Sequence, residues 1–462
     1  MRNKRGICAV AVMIVSGLLS AEQGAPPAGL TLSQAVEAAA KNYPAIRVSQ
    51  EQLNVAAAGI RLARTAYLPR VDAIAAVNRA TRNNVFGMLF PQNTLPQISG
   101  PVLGTNNLGT AWGSAVGGLV HWEPFDFGLR RANTGVAEAA RAQSAATLKR
   151  TEFEISTATI DTYLTLAAAQ ETVKAAKAGV TRADSILRTT SALVTAQLRP
   201  GADSSRAEAE LAAAGTQLIQ AQQAVEIARA ALAQFVAVDP AQIAIAAPRL
   251  LQLPPETAPP PANFQANPVI VEQNATVEQA RAQLRALARS YFPKFALEGA
   301  AYARGTGDQL DGTRLGGLNG LAPNVQNYAV GFSVTFPIMD LAAIRAREAA
   351  QSATIRAQTA RSEQIVIELR TRWNTALAQL HGARQIAANT PVQVSAARAA
   401  TEQSTARYES GLGTIDQVAE AQRLLSQAEI DDALAHLSVW RALLGLATAA
   451  GDLGPFLVEA GR

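Results

Sequence analysis

The chain has 462 residues, of which 48% are hydrophobic, 5% aromatic and 17% charged. Alanine dominates, with glutamine, arginine and glutamate filling much of the rest, and such a composition favours long helices over a mixed globular core. The formal charge is +5, but Arg2, Lys4 and Arg5 crowd the extreme N-terminus and the other bases are scattered among acids, a pattern that argues against nucleic-acid binding.

Residues 1–25 read as a secretory signal: a basic start, then an apolar stretch from Ile7 to Leu19 that is too short to span a bilayer. Ser20, Ala21 and Ala25 each fit as the cleavage position. Cys8, the only cysteine, lies at the start of the apolar stretch, where lipid attachment is not expected. The mature chain is therefore expected to lack disulfide and thiolate chemistry. No later apolar run reads as long enough for a membrane helix, which leaves a periplasmic, secreted or outer-membrane β-barrel protein.

Thr31 to about Leu68 is predicted helical, capped by Thr31 or Ser33 and interrupted at Tyr43-Pro44. A weak strand, Val71 to Ala80, precedes a loop at 83–109 rich in Asn, Gly, Pro and Thr. Trp112 to Trp122 alternates as a second strand with an aromatic at each end; Pro124-Phe125-Asp126 should end it. From Asp126 to about Arg199 runs a proline-free helical pattern. Its seam is Leu166, Val173, Val180, Leu187 and Val194, with Ala169, Ala176 and Ala183 three positions on. Pro200-Gly201 is a turn, and Asp203 or Ser204 is expected to cap a helix reaching about Val236. Residues 238–266 are proline-rich and read as a linker too stiff and polar for a core.

The plan then recurs. Asn267-Pro268 and Tyr291-Phe292-Pro293 match Tyr43-Pro44 and Tyr67-Leu68-Pro69 at an offset of 224, while Pro337 and Asp416 match Pro124 and Asp203 at 213. This is an internal duplication. The second copy has strands at Lys294–Arg304 and Tyr328–Phe336 around a Gly/Asn-rich loop at 305–324. A helical pattern of about 70 residues follows Asp340, Gly411-Leu412-Gly413 forms the turn, and a last helix runs from Thr414 to about Ala449. The boundaries are 1–25 signal, 30–237 first repeat, 238–266 linker, 267–450 second repeat and 451–462 tail. At 1.5 Å per residue each long helix spans roughly 110 Å, and the two shorter helices of a copy, stacked end to end, match it.

Four short amphipathic strands cannot close a barrel, and an open edge is not viable in lipid. Closure at eight strands or more requires several chains, so barrel and helices would form one shared conduit. Trp112, Trp122, Tyr328 and Phe336 are then the membrane-interface aromatics.

The duplicated plan, the junctions Pro124-Phe125-Asp126 and Pro337-Ile338-Met339-Asp340, and above all YESGLGTIDQVAEAQ at 408–422 resemble the TolC-like outer membrane efflux proteins. The resemblance covers about residues 30–450. It implies a mainly α fold with a small β part: a long periplasmic α-helical barrel continuous with a 12-stranded β-barrel, to which each chain of a homotrimer gives four strands. It implies a passive channel in outer membrane lipid. Its partners would be a periplasmic adaptor (membrane fusion) protein and an inner-membrane pump, of resistance-nodulation type or an ABC exporter. By motif match Glu420 takes the acidic position of the pore constriction and Gln417 a position where some members carry a second acid; Asp416 and Asp203 are close by. Gly411, Leu412, Gly413, Thr414, Pro200 and Gly201 are the adaptor-contact candidates at the tip. The chain departs from many members in having Phe127-Gly128 and Leu341-Ala342, not a glycine pair, after the junction acids, and no lipidated cysteine.

No catalytic or metal-ligand spacing links His121, His381, His436 and Cys8, and no phosphate-binding glycine loop is present, so no enzyme activity, metal or cofactor is expected. Competing readings are the outer-membrane component of type I protein secretion, with the same fold and other cargo, and a periplasmic coiled-coil scaffold or adaptor.

Overall fold

The structure, a computed structural model, describes residues 29–81, 109–256, 262–307 and 313–461. The signal segment with Cys8, nearly all of the 83–109 loop, residues 257–261 of the proline-rich segment and 308–312 of the second loop lie outside the described residues.

The first repeat opens with α1 (Leu32–Asn42) and α2 (Pro44–Thr65). Thr31 caps α1 in a reciprocal capping box with Gln34, and Pro44 starts α2 where its missing N–H costs nothing. Strands β1 (Arg70–Thr81) and β2 (Thr110–Phe125) follow, then the hairpin of α3 (Leu129–Thr195) and α4 (Gly201–Val236). The second repeat has α5 (Pro268–Arg289), β3 (Lys294–Thr306), β4 (Val325–Thr335), α6 (Leu341–Glu409) and α7 (Ile415–Ala450); α8 (Gly454–Gly461) closes the chain. In each repeat the long helix carries both shorter ones: α2 and α4 pack on α3, α5 and α7 on α6. Alanines of the α3 seam, Ala176 and Ala183, are buried, as close helix approach requires.

The strands form one antiparallel sheet in the order β1-β2-β3-β4, and within the chain β1 and β4 each pair on one side only. The register places Val71, Val120, Gly299 and Val330 in one row, and Ala75, Val116 and Ala303 in another, all on one face. On this face Tyr328 is 87% exposed and Val330 78%, the signature of strands meant for lipid rather than for a soluble core. The opposite face carries Asp72, His121, Glu298, Tyr302 and Asn327.

Four details differ from the sequence reading. Pro124 does not end β2, which runs on to Phe125; a register shift between Trp122 and Phe125 absorbs the missing donor. Neither Asp203 nor Ser204 caps α4: the helix begins at Gly201 with Pro200 in the N-cap position, so Asp203 falls in the first turn, where the helix dipole favours it. The proline-rich connection is not a free linker. Ile243 and Leu250 are buried in the largest core cluster beside Tyr163, Leu232 and Trp440, because sparse aliphatics among the prolines find a groove at the waist of the helices. Its carbonyls are used as well: the Tyr163 hydroxyl lies 3.0 Å from Ala246 O, as well as 2.8 Å from Leu30 O ahead of α1, and Trp440 Nε1 donates to Gln252 O at 2.9 Å. Finally, α7 does hold a stretch as apolar as a membrane span, with mean hydropathy 1.3. Leu437, Val439, Trp440, Leu444 and Leu446 of that helix are buried in the protein's own core, which accounts for its apolar character.

Candidate functional site

At the end of the sheet nearest the helices, Trp122 donates from Nε1 to Tyr67 O at 3.1 Å, tying β2 to the close of the first helical segment. At the other end Arg79 lies over the Trp112 ring at 5.3 Å. Tyr328 and, just past β4, Phe336 are exposed. The four aromatics singled out from sequence share or adjoin the face that carries Val330, but the register sets Tyr328 across from Ala301 and Gly118, in the middle of β2 and not at its end.

The junction between strand and helix is built on Asp126. Phe127 and Gly128 take left-handed backbone angles, φ 50 and 87°, that turn the chain from β2 into α3. The Asp126 carboxylate accepts from Gly128 N at 3.1 Å, Arg130 N at 2.7 Å and Arg130 Nε at 2.9 Å. Both side chains are buried. Burial alone would raise this carboxyl's pKa; the bonds from Arg130 and Gly128 outweigh it and hold the pKa below the ordinary aspartate value. Asp340, at the second junction, is exposed and makes no side-chain cap.

The far end of the helices brings two hairpin turns together. Ala196–Pro200 joins α3 to α4, and Ser410–Thr414 joins α6 to α7. Gly411, at φ 82°, makes the second turn possible, while Gly413 is buried against Tyr408 and Arg407. Thr414 and Gln417 form a capping box in which Gln417 Oε1 accepts from Thr414 N at 3.5 Å, so Gln417 has a local task in starting α7. Pro200, Gly201, Leu412 and Thr414 are exposed. Leu412 is 74% exposed and so, at 69%, is Leu198 on the other turn.

Between the turns lies Tyr408, buried at 2% exposure among Ala207, Ile415 and Val418. Its hydroxyl donates to Asp203 Oδ2 at 3.0 Å. Arg199 donates to the Tyr408 carbonyl oxygen, and its guanidinium lies 4.3 Å from the ring centroid. Burial, with Asp203 adding to it, pushes the Tyr408 hydroxyl above its ordinary pKa, so it stays a donor across the neutral range. Arg206 of α4 reaches Asp416 of α7 at 3.4 Å. Glu420, one turn beyond Asp416, is exposed and pairs with Arg423 of its own helix. The structure therefore brings Asp203 and Asp416 into links between the two hairpins and leaves Glu420 open. Arg199, Arg206, Tyr408 and Leu198 belong to this site although sequence spacing did not single them out; Asp203 and Tyr408 are 205 positions apart.

Paired lipid-type strands, a polar opposite face and helical hairpins about 100 Å long, reckoned at 1.5 Å per residue, define an outer-membrane channel with a periplasmic helical part. The family model for outer membrane efflux proteins matches residues 35–238 and 263–452, and the chain belongs to that family. The same fold occurs in the outer-membrane channel OprN, which is 21% identical over 91% of this chain and 89% of its own, with a TM-score of 0.72. It occurs too in the Campylobacter jejuni CmeC outer membrane channel (16% identity, 93% and 89% covered, TM-score 0.73). The Vibrio cholerae outer membrane protein VceC is a third example (16%, 91% and 96%, 0.71). A search of curated proteins gave no match. As a member of the family the chain is an exit duct of an efflux system, a channel and not an enzyme. Membership also implies a trimer that works with an adaptor and an inner-membrane pump.

Proposed function

We propose that the tip of this duct is both its gate and its docking end, with Tyr408–Asp203 and Arg206–Asp416 holding the two hairpins of each protomer together. The observation that carries this reading is the buried Tyr408 bridging α6 to the half-buried Asp203 at the start of α4, while Asp416 and Glu420 nearby are exposed. In a homotrimer Asp416 and Glu420 recur three times around one axis, and a ring of carboxylates in a narrow pore favours cations. The channel itself is passive. Energy comes from an inner-membrane pump, of resistance-nodulation type or an ABC exporter, through a periplasmic adaptor.

Glu420→Ala is expected to weaken block of the reconstituted channel by divalent cations. One unit charge acts on an ion about 4 Å away with on the order of 1 kcal/mol in water, so the blocking concentration should rise about fivefold or more. Block at the wild-type concentration would remove Glu420 from the constriction.

Leu198 and Leu412 are the apolar contacts offered to the adaptor. Burying one leucine is worth roughly 1.5–3 kcal/mol, so Leu412→Asp should weaken adaptor binding by at least about tenfold, with Leu198→Asp additive. Titration of the purified trimer with the adaptor measures this, and unchanged affinity in the double variant would move the contact elsewhere.

A further inference from the structure

Beneath the strand ends, α3 and α5 enclose a groove of about 640 Å³ lined by Phe127, Gly128, Gly135 and three arginines, Arg131, Arg285 and Arg289. All three arginines are exposed, and none has an ion pair or hydrogen bond among the described residues. Arg289 has only the Phe292 ring, 5.9 Å away. Their neighbours are different: Arg130 is bound to Asp126, and Arg64 lies 3.5 Å from Glu138. Three positive charges are thus gathered without a counterion among the described residues.

The face of the groove is fixed by its aromatic rim. Phe127 packs on Phe125 at 4.6 Å, on Phe292 at 5.0 Å and on Phe295 at 5.9 Å between ring centroids. Phe295 continues to Phe332, which stands on the lipid-type face of the sheet with Val330 and Val334. The arginines therefore lie outside the duct, directly below the apolar belt. Arg131 is the third residue of α3, about 3 Å along the helix from its start at Leu129 and so close beneath the end of β2. The groove is formed by two helices of one protomer, with α2 and α6 flanking α3 and α5, so closure of the sheet edges leaves it open.

We propose that this groove binds the phosphate headgroup of an anionic phospholipid in the periplasmic leaflet of the outer membrane, with the acyl chains lying along Phe125, Phe295 and Phe332. A basic pocket at headgroup depth under an apolar wall suits such a lipid on both counts. The adaptor-facing turns are at the other end of α3, roughly 100 Å away, so the pocket does not serve that contact. The inference rests on the outer-membrane placement of the sheet.

Native mass spectrometry of the full-length trimer with phosphatidylglycerol, phosphatidylcholine or glycerol phosphate tests it. Each protomer should retain one phosphatidylglycerol, about a hundredfold more tightly than phosphatidylcholine, because each of the three arginines favours the anionic headgroup. The triple variant R131Q/R285Q/R289Q should fall to the phosphatidylcholine level, R131K/R285K/R289K should keep most of the preference, and R370Q, on the exposed side of α6, should keep all of it. Undiminished retention in the glutamine variant overturns the proposal, and so does equal occupancy by glycerol phosphate, which would make this a free-phosphate site. Single-channel conductance of the same variant separates the outcomes: a variant that conducts normally has lost the lipid and not the duct.

Discussion

Tyr408→Phe combined with Arg206→Ala is expected to raise the conductance of the reconstituted trimer severalfold by releasing the tip. The two links differ in worth. The Tyr408–Asp203 bond joins a buried hydroxyl to a half-buried carboxylate at 3.0 Å, and hydrogen bonds to charged groups contribute about 1.5–3 kcal/mol. The Arg206–Asp416 pair is mostly in solvent, with side chains 52% and 74% exposed, and such pairs contribute about 0–1 kcal/mol. Tyr408→Phe alone should therefore give most of the effect, and Arg206→Ala alone little, with that little further reduced by salt. Symmetry multiplies the term. Three links of about 2 kcal/mol reach the roughly 5.5 kcal/mol that carries a two-state equilibrium from 1:99 to 99:1. The phenylalanine keeps the packing on Ala207, Ile415 and Val418, so the fold of the hairpins is spared. Planar-bilayer recordings measure the outcome, and a double variant with wild-type conductance would show that the hairpins are held by something other than these two links.

Much of this architecture is written locally. Strand and helix differ in period, so the alternation at Tyr328–Phe336 and the seam from Leu166 to Val194 identify their elements without knowledge of the fold. Duplication then turns weak segments into firm ones, since each landmark has a counterpart at a fixed offset. What could not be read is what depends on distant partners. Ile243 and Leu250 lie in a stretch whose prolines signal exposure, and only the groove beside Trp440 makes them core. Asp203 looks like a helix cap because its preference for helix starts is real, but Pro200 takes the N-cap position and α4 begins earlier, at Gly201. Its partner Tyr408 lies on the other repeat, and no periodicity links the two. Asp126 and Arg130 are an intermediate case. Their four-residue spacing is visible in the sequence, whereas their burial follows only from the Phe127-Gly128 turn that folds the chain over them.

That burial makes Asp126→Asn the most damaging single change expected in the chain. Removing one partner of a buried ion pair costs about 3–5 kcal/mol, because the remaining charge is left desolvated and unpaired. Here the orphan would be Arg130, which also donates to Ala66 O at 3.3 Å and lies 5.0 Å over the Tyr67 ring. Loss of its anchor loosens the whole crossing from β2 to α3. The duplication supplies the control: Asp340, at the matching junction, is exposed and caps nothing with its side chain, so Asp340→Asn should change stability by less than about 0.5 kcal/mol. The pH dependence follows from the depressed pKa of Asp126. A carboxyl with a folded pKa below its unfolded one stabilises the fold fully above the unfolded value, near 3.9, and loses that contribution as pH falls through the folded value. The gap in thermal midpoint between wild type and Asp126→Asn should therefore stay constant from about pH 5 to pH 8 and close only in strong acid. Heating the detergent-solubilised trimer across that range measures both quantities. Equal midpoints for the Asp126 and Asp340 variants would mean that the buried pair does not hold the junction. A gap that closes already near pH 6 would mean that its carboxyl is raised, with burial winning over the bonds from Arg130 and Gly128.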